Sequence, residues 1–354
     1  MSGTPQVPTR VLANGAVVPR LIKGGWQLAG GHGAIDPRQA IEDMIAFADA
    51  GITAFDCADI YTGVEALIGT FLREWRQRHG PNAPGIRVHT KCVPDRDALA
   101  TLSAQDLETL IDRSLQRLGV EALDLVQFHW WDYTVYGWLE ALGHLDRLRR
   151  RGKIRELGLT NFDTPHVEAI VGAGIPIVSH QVQLSLLDGR ALGPMAATCA
   201  GHGVALFTFG ALAGGFLRER WLGAPEPVDG HENRSLTKYH LIIREFGGWD
   251  AFQSLLTTLR SIAVAHDTTI GAVALRAMLD EPAVTSVIVG ARHAHHLPAT
   301  LAALDLVLTA EERARIAVHR AAAPGPAGDV YALERDPTGP HAGIMRYNLN
   351  TGRG

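Results

Sequence analysis

The sequence has little cysteine. Cys57, Cys92 and Cys199 are the only three in 354 residues, at spacings that fit neither a disulfide framework nor a zinc site. A reducing compartment is the natural reading. Excess charge of one sign is also missing: 33 basic against 37 acidic residues leave a formal charge of −4, too balanced for a nucleic-acid or anionic-membrane footprint. No apolar run approaches a membrane span, and the opening "MSGTPQVPTRVLANG" lacks the charged-then-apolar pattern of a signal peptide. We expect a cytoplasmic protein whose partner is a small molecule. Neither a Gly-x-Gly-x-x-Gly after a strand nor a phosphate-loop Gly-x4-Gly-Lys-Ser/Thr occurs, which weakens the open-sheet nucleotide folds, and no internal repeat is visible.

What the chain does have is a hydrophobic share of 46%, enough for a sizeable core, and a regular alternation of β-type runs with amphipathic stretches. The runs are "PRLIKGGW", "TAFDCAD", "IRVHTKC", "LDLVQFHW", "IRELGLTNF", "PIVSHQVQLS", "VALFTFG" and "TSVIVGAR". Eight strands in successive βα units predict an α/β fold, a (β/α)8 TIM barrel, as one domain over residues 1–354 with the barrel at about 19–305. In "SAQDLETLIDRSLQRLG", Ser103 is a candidate N-cap with Asp106 three residues on, and Gly119 is the stop. Asn14-Gly15 predicts a two-residue hairpin turn in an N-terminal β-hairpin that caps one barrel end. The stretch from Gly214 to Trp249 is either a long active-site loop or a spacer, and residues 322–354 form a C-terminal tail without periodicity.

Barrel chemistry sits at the C-terminal ends of the strands, and the titratable residues there are Asp56, Lys91 and His129, with Tyr61 in the loop after the second strand. An ammonium near a phenol favours the phenolate and would bring Tyr61 down from its ordinary pKa of about 10. Asp56 would keep Lys91 charged, while His129 would hydrogen-bond a carbonyl oxygen or relay a proton. Thr160, Asn161, Gln181 and Phe209 stand at the next strand ends.

These segments resemble the aldo-keto reductase superfamily. "FDCADIY" is similar to its Phe-Asp-Thr-Ala-x-x-Tyr, "HTK" to its strand-three lysine, "DLVQFHW" to its strand-four histidine, and "GKIRELGLTNF" to its Gly-Lys-Ile-Arg-x-x-Gly-x-Ser-Asn-Phe. The resemblance runs in order from about residue 10 to 320. It implies a carbonyl reductase using NADP, with NAD as the second choice, and a small-molecule carbonyl or alcohol substrate. Tyr61 would be the general acid, Lys91 and Asp56 its tuning pair, and His129 the orienter of the substrate carbonyl. Thr160, Asn161 and Gln181 would hold the nicotinamide carboxamide, and Phe209 would stack on the ring. Gly210, Leu212 and Gly214 would lie along the pyrophosphate, with Gly290, Arg292, His296 and Thr300 toward the adenosine end. His296, Ala299 and Thr300 depart from the family pattern there.

Other residues are weighed against plainer roles. Asp59 would cap or meet solvent, and Glu65 would serve the first turn of the following helix. Trp26 and Trp130 are expected to line a substrate pocket, with Trp131 open between pocket and core. The "HAHHL" histidines read as a solvated turn and no metal is assigned. Met345, Arg346 and Tyr347 could fold back over the mouth, a frayed terminus being the default. Two further functions stand beside the reductase: a nicotinamide-binding regulatory subunit of the same fold, and a metal-dependent hydrolase using His129, Asp132 and His180.

Overall fold

The computed structural model describes residues 7–228 and 230–350, with the side chain of Asn82 also left aside. Residues 1–6 and 351–354, the ends of the span assigned to one domain, lie outside the described residues. The chain opens on an antiparallel hairpin, β1 (Thr9–Val11) and β2 (Val17–Pro19). Its turn is not the two-residue type expected. Leu12 N–H donates to Ala16 O at 2.8 Å and Gly15 takes φ +85°, so Ala13, Asn14 and Gly15 form a three-residue loop with glycine at the left-handed position.

Eight parallel strands then close a barrel: β3 (Leu21–Gly24), β4 (Ala54–Asp56), β5 (Arg87–Cys92), β6 (Leu123–Phe128), β7 (Ile154–Thr160), β8 (Ile177–Gln183), β9 (Ala205–Phe209) and β10 (Val284–Val289). They follow chain order around the ring, with β10 pairing β3 to close it. Each of the eight apolar runs became one strand. The enclosing helices are α1 (Pro37–Asp49), α2 (Val64–His79), α3 (Ala104–Leu118), α4 (Trp138–Arg150), α5 (Thr164–Gly172), α6 (Pro194–Gly201), α7 (Arg234–Glu245), α8 (Gly248–Ala265), α9 (Ile270–Asp280), α10 (Leu297–Asp305) and α11 (Ala310–Ala322). A single-turn helix, α12 (Ala332–Arg335), lies in the tail. Helix α3 carries the capping box expected of it, with Ser103 and Asp106 exchanging bonds and Gly119 closing it at φ +65°.

The hairpin plugs the N-terminal end of the barrel. Leu12 and Val18 pack with Ile22, Ala54, Leu125 and Phe207, while Asn14 donates to Glu156 at 2.8 Å. The opposite end is therefore the one available for chemistry. Among the described residues no single helix is long and apolar enough to cross a membrane, and the three cysteines are free and buried.

Candidate active site

Side chains alternate along a strand, so residues two apart on β4, β5 and β6 share the barrel interior. Asp56 on β4 and Lys91 on β5 meet there. Lys91 Nζ lies 2.8 and 2.7 Å from the Asp56 carboxylate oxygens and 2.9 Å from Cys57 O. Both partners are about 5% exposed, so each needs the other to justify its burial. Burial pulls Lys91 down, but Asp56 and Tyr61 outweigh it and hold the ammonium above its ordinary value. Two glutamines complete the carboxylate's shell: Gln181 Nε2 donates to Asp56 Oδ1 at 2.6 Å and Gln127 Nε2 at 3.1 Å. Gly158 makes room for them, since a Cβ there would stand 2.7 Å from Ser179 Oγ and 3.3 Å from Gln127.

Tyr61 is placed by the tight turn after β4, where its N–H donates to Ala58 O at 3.0 Å. The Lys91 ammonium sits 5.2 Å from its ring centroid and Trp26 packs against it at 5.1 Å. The sequence argument expected Lys91 to lower this phenol, and here burial wins. Burial raises Tyr61, Lys91 opposes it, and the net direction is upward. The phenol is protonated at neutral pH, the state a proton donor needs.

His129, one residue past β6, is 2% exposed. Its Nδ1 lies 3.1 Å from Thr160 O, and a carbonyl can only accept, so Nδ1 carries the proton. Burial, aided by the nearby charges of Arg335 and Lys91, lowers its pKa to about 3. The imidazole is thus neutral with a lone pair on Nε2, which is buried without a partner. In this tautomer Nε2 accepts hydrogen bonds, so it cannot donate to a carbonyl as the sequence reading had it.

The remaining sequence candidates fall into two groups. Asn161, the residue after β7, takes the left-handed region at φ +61°, and its Oδ1 is buried with no donor among the described residues. Thr160 is 2% exposed beside it, and Phe209 is half-buried at the end of β9. By contrast, the Gln181 amide is committed inward to Asp56 and Gln127. At Gly210 (φ +88°) and Gly214 (φ +63°) a Cβ would collide with the Tyr239 ring, so the space their missing side chains leave holds that ring. Leu212 packs beside Gly271, and the space at Gly290 is taken by Gln27. Arg292 donates to the carbonyls of His32 and Ala34, bracing the loop after β3, and Thr300 bonds back to His296 O at 3.1 Å. His296 is lowered to about 4 by burial and by Arg218, a half-buried cation with no carboxylate partner among the described residues.

Over these strand ends lies a cover that the sequence hardly signals. Helix α7, from the long stretch after β9, brings Ser235 Oγ to 3.1 Å from Trp26 Nε1 and Lys238 Nζ to 5.4 Å from the Phe209 ring. The tail crosses the mouth from the other side. Tyr331, 6% exposed, packs edge-on to His129 at 5.5 Å, and Tyr347 packs on Trp131 at 5.1 Å. Glu334 is buried between Lys238 at 3.1 Å and Arg190 at 3.6 Å. Asn350 ties the end down, taking Asp95 Oδ1 at 2.8 Å and Val93 O at 2.7 Å. Of the two readings of Met345, Arg346 and Tyr347, the fold-back over the mouth is the one the chain builds, as far as Asn350.

With the site drawn, comparison with known proteins decides its kinship. The model of the aldo/keto reductase family matches residues 20–321. The chain belongs to the aldo/keto reductase family. It is 30% identical over 259 residues to flagellar radial spoke protein 5 of Chlamydomonas reinhardtii, matching 63% of this chain and only 49% of that one. The NADH-specific methylglyoxal reductase of Escherichia coli is 23% identical over 311 residues, 82% of this chain and 91% of that one. Among solved structures, a glycerol dehydrogenase from Gluconobacter oxydans superposes with a TM-score of 0.73 at 22% identity, over 92% of this chain and 98% of that one. That likeness supports the barrel. As an aldo/keto reductase, the protein is an NAD(P)-dependent oxidoreductase acting on carbonyl or alcohol groups.

For this aldo/keto reductase several smaller expectations change. Trp130 is 1% exposed, with its indole N–H donating to Asp132 O and Val135 O, so it props the loop after β6 from within the core. Trp131 is the residue that meets His129, edge-on at 4.3 Å. Asp59 does not contact solvent: it is buried, accepts from Ile60 N–H and Val93 N–H, and is raised to about 8 by burial and Glu65. Glu65 does stand in the first turn of α2, and its carboxylate, 1% exposed, also bonds Thr90 and Arg117 and so stitches α2 to β5 and α3. The three residues of the hydrolase reading do not converge, since His180 binds Phe162 O and Asp132 binds Arg96. Gln127 was legible in principle, as the polar residue between Leu125 and His129 on the inward face of β6. Lys238, Tyr331, Glu334 and Arg335 carry no comparable signal.

Proposed function

We propose that this enzyme reduces an aldehyde or ketone to the alcohol, and runs the reverse oxidation, with Tyr61 as the group that gives and takes the proton. The observation that carries the proposal is the buried Asp56–Lys91 pair at the barrel mouth, with the Lys91 ammonium 5.2 Å from the Tyr61 ring. The residues present suit a nicotinamide cofactor: the orphaned Asn161 Oδ1 offers a carboxamide N–H₂ an acceptor, and Phe209 offers a flat apolar surface. When bound, the nicotinamide supplies the hydride. Lys91 stabilises the phenolate left when Tyr61 gives up its proton, and Asp56 fixes the ammonium for that task. His129, neutral, accepts from a hydroxyl and so orients the alcohol form of the substrate.

NADP is the cofactor we assign, because Arg218, with no ion-pair partner among the described residues and its charge felt at His296, suits a 2′-phosphate. NAD is the alternative, and one relative is by its name NADH-specific. Small polar carbonyl compounds, including sugar-like ones, are the substrate class we assign, given the polar side chains around the mouth. The intact tetrad gives the regulatory-subunit reading no support. Titration with NADPH and NADH, followed by a carbonyl screen on Tyr61→Phe, tests the proposal. We expect turnover to fall by about three orders of magnitude while the cofactor still binds. Full activity in that variant would refute the mechanism.

A further inference from the structure

A cavity of about 200 Å³ lies between the loop after β6 and the tail, and its lining includes Trp131 and Tyr331, the two rings packed on His129. Its charged lining residues are Arg96, Asp132, Glu334 and Arg335. Three of the four are already neutralised. Arg96 pairs with Asp132 at 3.0 Å, and Glu334 pairs with Lys238 and Arg190. Arg335 has no carboxylate within ion-pair range among the described residues. Its guanidinium lies 4.1 Å from the Tyr133 ring and 5.0 Å from the Tyr331 ring, and Nη2 donates to Trp130 O at 2.8 Å. Its Nε and Nη1 are buried with no acceptor.

An arginine carries five N–H donors and cannot discharge, so leaving two of its nitrogens buried and unpaired costs stability. Such a group in a native fold needs a reason. Its position supplies one. Tyr331, which touches the guanidinium, also packs on His129 at 5.5 Å, so the cation sits one aromatic ring from the catalytic imidazole. The charge is felt there, since Arg335 follows burial among the causes that hold His129 neutral. We infer that Arg335 is a specificity-determining residue that receives a carboxylate or phosphate on the substrate, with the carbonyl end of the same molecule at Tyr61 and His129. Arginine suits either anion because its planar donors match their oxygens. Arg96, already paired, contributes to the field more than to the contact.

The inference rests on the reductase reading, so its test separates the two. In the NADPH-loaded wild type, kcat/KM is compared for 4-carboxybenzaldehyde against 4-methylbenzaldehyde, and for glyceraldehyde 3-phosphate against glyceraldehyde. We expect the anionic member of at least one pair to lead by about tenfold, and whichever pair shows it identifies the anion. Arg335→Met should collapse that ratio toward one through KM, and Arg335→Lys should restore part of it. Benzoate and inorganic phosphate are titrated in parallel against the cofactor-loaded protein, a readout that needs no turnover. Anion binding that is lost in Arg335→Met, without turnover of any aldehyde, would keep the anion site and sink the reductase reading. An unchanged ratio in Arg335→Met, no preference in the wild type, or an equal fall for charged and neutral aldehydes would overturn the inference and leave the reductase standing.

Discussion

The strand ends and the cover above them make opposite use of buried charge. At the strand ends Asp56 and Lys91 meet across neighbouring strands, 35 positions apart in sequence, held by ladder hydrogen bonds on both sides. In the cover Glu334 reaches Lys238 and Arg190, which come from different crossovers and share no ladder with it. The first pair is oriented by a rigid scaffold and, in the mechanism we propose, serves the chemistry. The second does the orienting itself, fastening the tail to α7 and to the loop after β8. A buried ion pair is thus, on that proposal, a tuned reagent in one region and a fastener in the other.

Lys91→Met separates the two roles most strongly. It leaves the Asp56 carboxylate buried without its cation, so we expect a loss of about 3–5 kcal/mol in urea unfolding and at least about a hundredfold in kcat. The double variant Asp56→Asn/Lys91→Met should recover much of the stability and none of the turnover; recovered turnover would show that the pair only supports the fold. Glu334→Gln should act more gently, because Arg190 keeps Asp188 at 2.7 Å and Lys238 is partly solvated. We expect about 1–2 kcal/mol, faster proteolysis within residues 323–350 and a raised KM with kcat little altered. A kcat loss equal to that of Lys91→Met would erase the contrast.

The smallest effect concerns pH. His89 and His129 are lowered to about 3 and His180 to about 4, in each case chiefly by burial. A folded pKa below the unfolded value of about 6.5 means that unfolding takes up protons between these limits. Their contribution is present above about pH 6.5 and is lost as pH falls toward 3–4, at up to about 1.4 kcal/mol per pH unit for each histidine. His89 is buried and stacks on Phe207 at 5.5 Å, so His89→Phe should remove one proton's worth of that slope. Chemical denaturation from pH 4 to 7 measures it, and an unaltered slope would mean that His89 is protonated in the fold.

The strand-end half of the proposed site was legible because barrel geometry turns spacing into position. A strand has a period of two and the strands follow chain order, so "FDCADIY", "HTK" and "FHW" could be placed at one mouth without coordinates. The inward commitment of Gln181, the upward shift of Tyr61 and the acceptor role of His129 Nε2 were not legible. Each depends on burial, or on which neighbour fills a gap, as Tyr239 does at Gly210. The tail was left open for a related reason: its hold comes from contacts with residues 93–97, 130–133 and 234–238, and no local period records them.

By itself, then, the sequence determined the strand count, their order around the ring and which polar side chains face the interior, since backbone hydrogen bonding and side-chain alternation are local rules. Tertiary structure alone decided what covers the mouth, which buried charges find partners and which proton each titratable group holds, because desolvation and long-range ion pairing depend on segments far apart in the chain. Arg335 shows the difference most plainly. In sequence it is one arginine in an aperiodic tail, and only the fold sets it one aromatic ring from His129 with donors to spare.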